Sequence, residues 1–295
     1  MRVTRWNWTH HVRFVQLMAC AMLAALRGSA GDGTADRVSL IAERDAVAPG
    51  APFTLAVELQ TQPGWHTYWL NPGDAGLPPK LRWRLPEGVR LSRLQFPTPD
   101  RFEEAGMVSF GYEGRVWLLA DFEVDGGFSG EKMEIGLAAS WMVCREACMQ
   151  KKGDAQVILS VAAGAPAQTN AATAAEFARW RDRLPRPATG WTVRARAERK
   201  GVRLRIEPPA GAGPEAAAWE RARFYAFRRG ALDLQAAPQW RRDGAAWSAV
   251  LLAGPEPFKD GDVLEGVVFF QATATDAGGA PPLAWSVKAV IGGSP

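Results

Sequence analysis

Between residues 38 and 161, apolar and polar positions trade places every second residue, in runs too short for helices. Residues 115–124 are the clearest case, with Val116, Leu118, Ala120, Phe122 and Val124 on one side of the alternation. A period of two sends successive side chains to opposite faces, which is the signature of a strand buried on one face. Further runs of this kind occupy residues 38–42, 53–59, 81–85, 89–96, 132–140 and 156–161. Turn formers separate them, among them Pro49-Gly50, Pro72-Gly73 and Pro86-Glu87-Gly88. Proline gives no backbone N–H to a ladder, so these segments end strands rather than extend them. Short strands spaced about 8–12 residues apart predict an antiparallel sandwich.

No helical period is sustained before Ala162. Residues 163–187 then read as a linker followed by a short helix. Thr173 and Glu176 have the spacing of a capping box, and Phe177, Trp180 and Leu184 recur at helical intervals. Pro185 and Pro187 stop that helix. Strand patterns resume at 191–197, 202–207, 222–227, 247–252, 264–273 and 283–290. The expected organisation is a β-sandwich over residues 36–162, the linker and helix, and a second sandwich over 188–291. The 295 residues at 47 % hydrophobic content suffice for two such cores. Most of the 13 tryptophans are expected inside them.

The first thirty residues follow another logic. Arg2, Arg5 and Arg13 precede an apolar run over 14–26, and Gly28-Ser29-Ala30 supplies small residues where a signal peptide is cleaved. Two other readings are a short buried helix and a lipoprotein signal ending at Cys20. Cleavage after Ala30 removes Arg2, Arg5, Arg13 and Arg27, leaving 31 basic against 31 acidic residues. The basic balance of the full chain therefore belongs to the targeting segment and gives no support for nucleic-acid binding. Beyond Leu26 no uninterrupted apolar stretch reaches the ~20 residues a membrane helix needs. The expectation is a soluble, exported protein.

Export leaves two cysteines, Cys144 and Cys148, in an oxidising compartment. A bridge across so small a loop is worth only about 1–2 kcal/mol by the loop-entropy estimate, so it is a poor staple. Three chemistries fit: a passive local disulfide, a soft-metal site, or reversible thiol–disulfide exchange. The metal reading requires the only histidine left after cleavage, His66, to stand beside the pair. Four-coordinate zinc lacks ligands, and copper would rest on Cys144, Cys148 and His66. In exchange, one thiolate attacks a partner's disulfide and the other resolves the mixed disulfide. Arg145 would favour a thiolate between them and Glu146 would oppose it.

Several blocks occur in order: Gly64-Trp65-His66-Thr67-Tyr68-Trp69, Asn71-Pro72-Gly73-Asp74-Ala75-Gly76, Trp83, Leu85-Pro86-Glu87-Gly88, Phe96-Pro97-Thr98-Pro99, Phe110-Gly111-Tyr112-Glu113-Gly114, and Trp141-Met142-Val143-Cys144 with Cys148. The series resembles the amino-terminal periplasmic domain of the DsbD/ScsB family of thiol:disulfide interchange proteins. It spans residues 38–161 and extends more loosely through the second half, as in the longer ScsB-type ectodomain. The resemblance implies an all-β fold of two immunoglobulin-like sandwiches, and a periplasmic location. It makes Cys144 and Cys148 the redox pair, with Cys148 facing the partner. Phe110 and Tyr112 would belong to a loop covering the pair, with Gly111 letting it move. Implied partners are a separate membrane electron-transfer protein and periplasmic thioredoxin-fold proteins. No cofactor or resident metal is implied. Met149 departs from the proline that family members often carry there. The family's membrane-embedded and thioredoxin-like segments are not recognised, so reducing equivalents are expected from separate polypeptides or a small-molecule reductant.

Other candidates are weaker. Glu103 and Glu104 are sequence neighbours and do not face one another on a strand. His66 lies among aromatic residues as a core histidine would, and Lys151-Lys152 reads as a solvated strand end. Ser109 and Ser140 lie in no nucleophile-elbow context. No glycine-rich phosphate loop suggests a nucleotide site. The second half carries no cysteine or histidine, and an interaction or scaffolding role is its default. The testable consequence of the leader is a mature chain that begins at Gly31. Amino-terminal sequencing of exported material checks it, and a lipid-modified Cys20 at that terminus would overturn it.

Overall fold

The computed structural model describes residues 36–162, 170–211, 216–219, 221–270 and 283–292. The signal-peptide reading, most of the linker and the last residues of the strand expected at 264–273 lie outside them.

Eleven strands come first. They are β1 (Arg37–Ala42), β2 (Ala46–Val47), β3 (Phe53–Gln60), β4 (His66–Gly73), β5 (Lys80–Arg84), β6 (Val89–Gln95), β7 (Asp100–Glu104), β8 (Met107–Glu113), β9 (Arg115–Val124), β10 (Lys132–Cys144) and β11 (Cys148–Val161). One sheet runs β1-β3-β9-β6. The other runs β2-β11-β10-β4-β8-β7, with β5 pairing alongside β10. The alternation in β9 works as expected: Val116, Leu118, Ala120 and Phe122 are fully buried, and Phe122 stacks on Phe53 at 5.1 Å while meeting Trp83 edge-on. Apolar side chains from both sheets, such as Leu55 and Ile135, close this core.

Helix α1 (Ala174–Asp182) lies close to the expected position and buries Phe177 and Trp180. The capping box does not form. Thr173 makes no cap hydrogen bond; its hydroxyl donates to the Ala42 and Asn170 carbonyls, while Glu176 accepts from Arg115 at 2.8 Å. Tertiary partners outcompete the local cap.

The remaining elements are β12 (Arg186–Pro187), β13 (Thr192–Glu198), β14 (Gly201–Glu207), α2 (Ala216–Trp219), β15 (Arg223–Ala226), β16 (Arg241–Asp243), β17 (Ala246–Leu252), β18 (Val263–Phe270) and β19 (Leu283–Gly292). Their strands form one sheet along the path β15-β18-β19-β13-β14-β17-β16, with β12 pairing off it with β19, and β13 and β19 run parallel. The chain is thus all-β with short helices and two sheet-rich regions. Trp219 centres the second core, stacked on Trp247 at 5.5 Å and edge-on to Trp240 and Phe270.

The two regions share apolar contacts as well. Tyr225, Val267 and Ala284 pack in one cluster with Trp69, Phe110 and Tyr112. Phe110 meets the Tyr225 ring at 4.3 Å. Polar contacts fix the register of the join: Asn71 Nδ2 donates to the Ala226 carbonyl at 2.7 Å, and both groups are buried.

Gly111 is not a hinge. It lies within β8, pairs with Tyr68 and Asp100, and passes so close to β4 that an added Cβ would sit 1.9 Å from the Thr67 carbonyl oxygen. A backbone oxygen in a paired strand cannot move aside cheaply. Gly111→Ala is therefore expected to cost about 3 kcal/mol, the upper part of the usual overpacking range, read as a lowered urea midpoint at unchanged slope.

Candidate functional site

Strands β10 and β11 form one long hairpin, paired from Lys132↔Ser160 to Cys144↔Cys148. The cysteines are its last pair, so the ladder itself brings them face to face, with Cα atoms 4.1 Å apart and a disulfide between the sulfurs. Arg145, Glu146 and Ala147 make the exposed tip, closed by Arg145 N–H donating to the Ala147 carbonyl at 3.3 Å. Exposure separates the two sulfurs' residues. Cys144 is 3 % exposed, whereas Cys148 belongs to the exposed rim.

Pairing continues sideways from Cys144 to His66 on β4 and from His66 to Glu113 on β8. Directly paired residues share a face. Cys148, Cys144, His66 and Glu113 therefore form a row across the sheet. His66 and Tyr68 stand on the same face of β4, and the Tyr68 hydroxyl lies 3.7 Å from Cys148 Sγ, donating toward it. From β7, Phe102 stacks on the His66 ring at 4.4 Å, and the rings are nearly parallel. Glu104 is two residues further along the same face. The β7–β8 turn, Ala105-Gly106, holds both residues at positive φ, as a tight two-residue hairpin requires.

Phe110 and Tyr112 are placed elsewhere. Glu113 shares the face of the disulfide, so the odd–even rule sends Tyr112 and Phe110 to the other side of β8. Both are buried there, Phe110 on Tyr225 and Tyr112 donating to the Pro97 carbonyl at 2.6 Å. The aromatic side chain beside the pair is that of Tyr68, and Phe102 joins the site by stacking on His66. Glu103 and Glu104 also part company: Glu103 pairs with Arg101, and Glu104 is close enough to influence both His66 and Tyr68. Tyr68, Phe102, Glu104 and Glu113 escape a reading of the sequence because nothing in it shows that these strands pair. Once they do, the two-residue period identifies all four.

Burial governs the acid–base state of the site. His66 is 4 % exposed, and burial holds its imidazole below the ordinary pKa against the pull of Glu104 and Glu113. Its Nε2 is buried with no hydrogen-bond partner. Burial, reinforced by Glu104, pushes the Tyr68 phenol up to about 12, so it stays protonated as a donor. The copper reading required His66 beside the pair, and it does stand opposite Cys144. Among the described residues, however, no group of three His, Cys, Asp or Glu side chains is arranged to hold a metal ion. The two sulfurs are bonded to each other.

The second region braces both segments flanking the disulfide. Arg229 donates to the carbonyls of Asp74 at 2.9 Å and Gly76 at 3.3 Å. Gln235 donates to the Gly106 carbonyl at the β7–β8 turn at 2.8 Å, and Arg101 on β7 donates to the Leu234 carbonyl at 3.3 Å. No described helix is long and apolar enough to cross a membrane.

Residues 37–160 match the family model described as thiol:disulfide interchange protein DsbD, N-terminal. Among solved structures, the N-terminal periplasmic domain of ScsB from Proteus mirabilis is similar at 17 % identity and a TM-score of 0.55, over 87 % of this chain and 92 % of that one. At that identity the likeness is one of fold. A protein of unknown function from Porphyromonas gingivalis W83 aligns at 12 % identity over 86 % of this chain and 96 % of that one, with a TM-score of 0.24. No protein of curated function matches.

The state of His66 has a measurable consequence. With the folded pKa below the ordinary value near ~6.5, the unfolded chain binds more protons in the window between them. Stability is then fully present above that window and falls as pH drops through it. Urea midpoints measured from pH 8 to pH 5 should decline more steeply for the native chain than for His66→Gln. Equal slopes would mean that Glu104 and Glu113 offset the burial and leave the folded imidazole at its ordinary pKa.

Proposed function

We propose, from the match of residues 37–160 to the DsbD amino-terminal family model, that the protein relays reducing equivalents to exported proteins through Cys144 and Cys148. The observation that carries the reading is the placement of an oxidised pair at a hairpin tip, one cysteine exposed and the other buried. In the reduced state Cys148 acts as the attacking thiolate. It bonds to one sulfur of a partner disulfide and releases the other as a thiolate. Cys144 then gives up its proton and attacks Cys148, which expels the partner's second thiolate and restores the bridge. Two electrons pass to the partner. The reverse order loads the pair from a reduced donor.

Access supports these roles. A sulfur that must meet another protein has to be reachable, and Cys148 lies at the rim. Cys144, buried and paired with His66, only needs to reach Cys148. The proposed setting is the periplasm, with a membrane electron-transfer protein as donor and thioredoxin-fold proteins as acceptors. An immunoglobulin-like identity for both sheet-rich regions, and division near 162 and 188, belong to the same proposal. The second region supplies structure to the relay through Arg229, Gln235 and Leu234, not redox groups of its own.

Cys144→Ala is expected to accumulate a mixed disulfide through Cys148, and Cys148→Ala to trap little. Mass spectrometry of trapped complexes identifies the bonded sulfur, and predominant bonding through Cys144 would reverse the roles. Redox titration of the native chain should give a midpoint between about −120 and −270 mV. A midpoint below about −300 mV with no mixed disulfide would make the bridge merely structural.

A further inference from the structure

The face that carries the disulfide does not end there. Cys144, Met142, Ser140, Ala138 and Gly136 share one parity on β10, and they pair in turn with Cys148, Gln150, Lys152, Asp154 and Gln156 on β11. On the other side of β10, Ser140 pairs with Lys80, Ala138 with Arg82 and Gly136 with Arg84. The same sheet face therefore runs from the disulfide into a trough of about 410 Å³ floored by Ala138 and Ser140. Small floor residues keep it open. At its far end Gly136 lets the Arg84 guanidinium lie against the strand, since an added Cβ would sit 2.8 Å from Arg84 Nε.

The walls are strongly biased in charge. Lys80, Arg82, Arg84 and Lys152 face one carboxylate, Asp154, which Arg84 already engages at 3.3 Å. Lys80, Arg82 and Lys152 are exposed, and among the described residues none of them has an ion-pair partner. Lys151, next in sequence to Lys152, is by contrast tied to Asp36 at 2.7 Å. Between the trough and the disulfide lies a smaller, more apolar notch walled by Leu77, Pro78 and Met142.

We propose that this trough docks an extended acidic segment of the redox partner, running on from the partner's reactive cysteine. The inference rests on the relay reading above and names the chemistry of its partner. Successive same-face residues on a strand are about 6.8 Å apart. A segment whose cysteine meets Cys148 therefore places its second residue from that cysteine over the apolar notch. Its fourth reaches the Lys80/Lys152 row, about 13 Å from the disulfide, and its sixth reaches Arg82, about 20 Å away. Three unpaired cations offer little to an apolar or basic strand. They complement carboxylates at those two positions and speed encounter by steering.

The test uses the oxidised full mature chain and synthetic eight-residue peptides. Each has a cysteine at one end, leucine two residues from it, and Glu, Gln or Lys at the fourth and sixth positions, in both chain directions. The peptide thiolate attacks Cys148 Sγ and Cys144 leaves as a thiolate that takes up a proton. A second peptide thiol then releases peptide disulfide and the reduced pair. At low salt, the Glu peptide in one chain direction is expected to react about tenfold faster than its Gln counterpart, and the Lys peptide more slowly. The difference should collapse at 1 M salt, where the Debye length is about 3 Å. In the Lys80→Gln, Arg82→Gln, Lys152→Gln variant, the Glu-to-Gln rate ratio should fall to near one. Equal rates for all peptides at low salt would overturn the docking inference and leave the relay standing. An acidic preference that survives in the variant would place the docking elsewhere. Exchange with none of the peptides, nor with dithiothreitol, would remove the relay reading and this inference together.

Discussion

The register of the β10–β11 hairpin is the constraint on which the site depends. Thirteen cross-strand pairs end at Cys144↔Cys148, and the side-chain period of two makes that register all-or-none. A slip of one residue would move Cys144 to the face now holding Val143 and Trp141, inside the sandwich. The same slip would bury Ser140 and Ala138 and expose Leu137 and Ala139. Burial of that inner row, with Leu137 and Val143 fully inaccessible, therefore fixes the sulfur positions as firmly as it stabilises the core. The disulfide is held in place by a hydrophobic pattern many residues away from it.

The second region contributes through its backbone and its long side chains. The Asp74–Gly76 carbonyls and the Ala105-Gly106 turn, which follow β4 and β7, each receive a hydrogen bond from beyond residue 220. Buried Asn71 adds a third tie, to Ala226. A loop pinned at both flanks loses less freedom when a partner arrives, so less of the binding free energy goes into ordering it. On the proposed relay, this would be the part of a region without histidine or cysteine. The aromatic join of Phe110 with Tyr225 keeps those braces in register, which accounts for the deep burial of residues that the family resemblance suggested were a mobile cover.

How far the sequence discloses all this depends on burial pattern. Strand β9 is legible to the residue because both its neighbours and its inner face are apolar. Strand β11 is expected only from 156, yet begins at Cys148, because Lys151, Lys152 and Asp154 keep its first half polar while backbone pairing continues. Hydrogen bonds in a ladder leave no trace in hydropathy. Strand β4 is hidden by Asn71-Pro72-Gly73, which reads as a turn. The structure accommodates it through an irregular register between Tyr68 and Gly73, where a strand tolerates proline. Strand β7, with the sequence Asp-Arg-Phe-Glu-Glu, shows one apolar residue, and that residue is the one stacked on His66. The cysteine pair itself was conspicuous from spacing. Its surroundings were not, since they arrive from three other strands.

The difference in exposure between the cysteines also bears on the direction of their chemistry. Burying a thiolate is costly unless a donor or cation compensates it. At Cys144 the nearest side chain across the ladder is a neutral imidazole whose Nε2 has no partner, with two carboxylates behind it. Such surroundings do not compensate charge on the buried Cys144 sulfur once the bridge opens. Cys148 has water and a phenol donor that stays protonated, both of which favour charge on its sulfur. Negative charge is thus directed to the sulfur that a partner can reach, at the end of a trough lined with unpaired cations. On the proposed roles, attack through Cys144 is discouraged by solvation as well as by access.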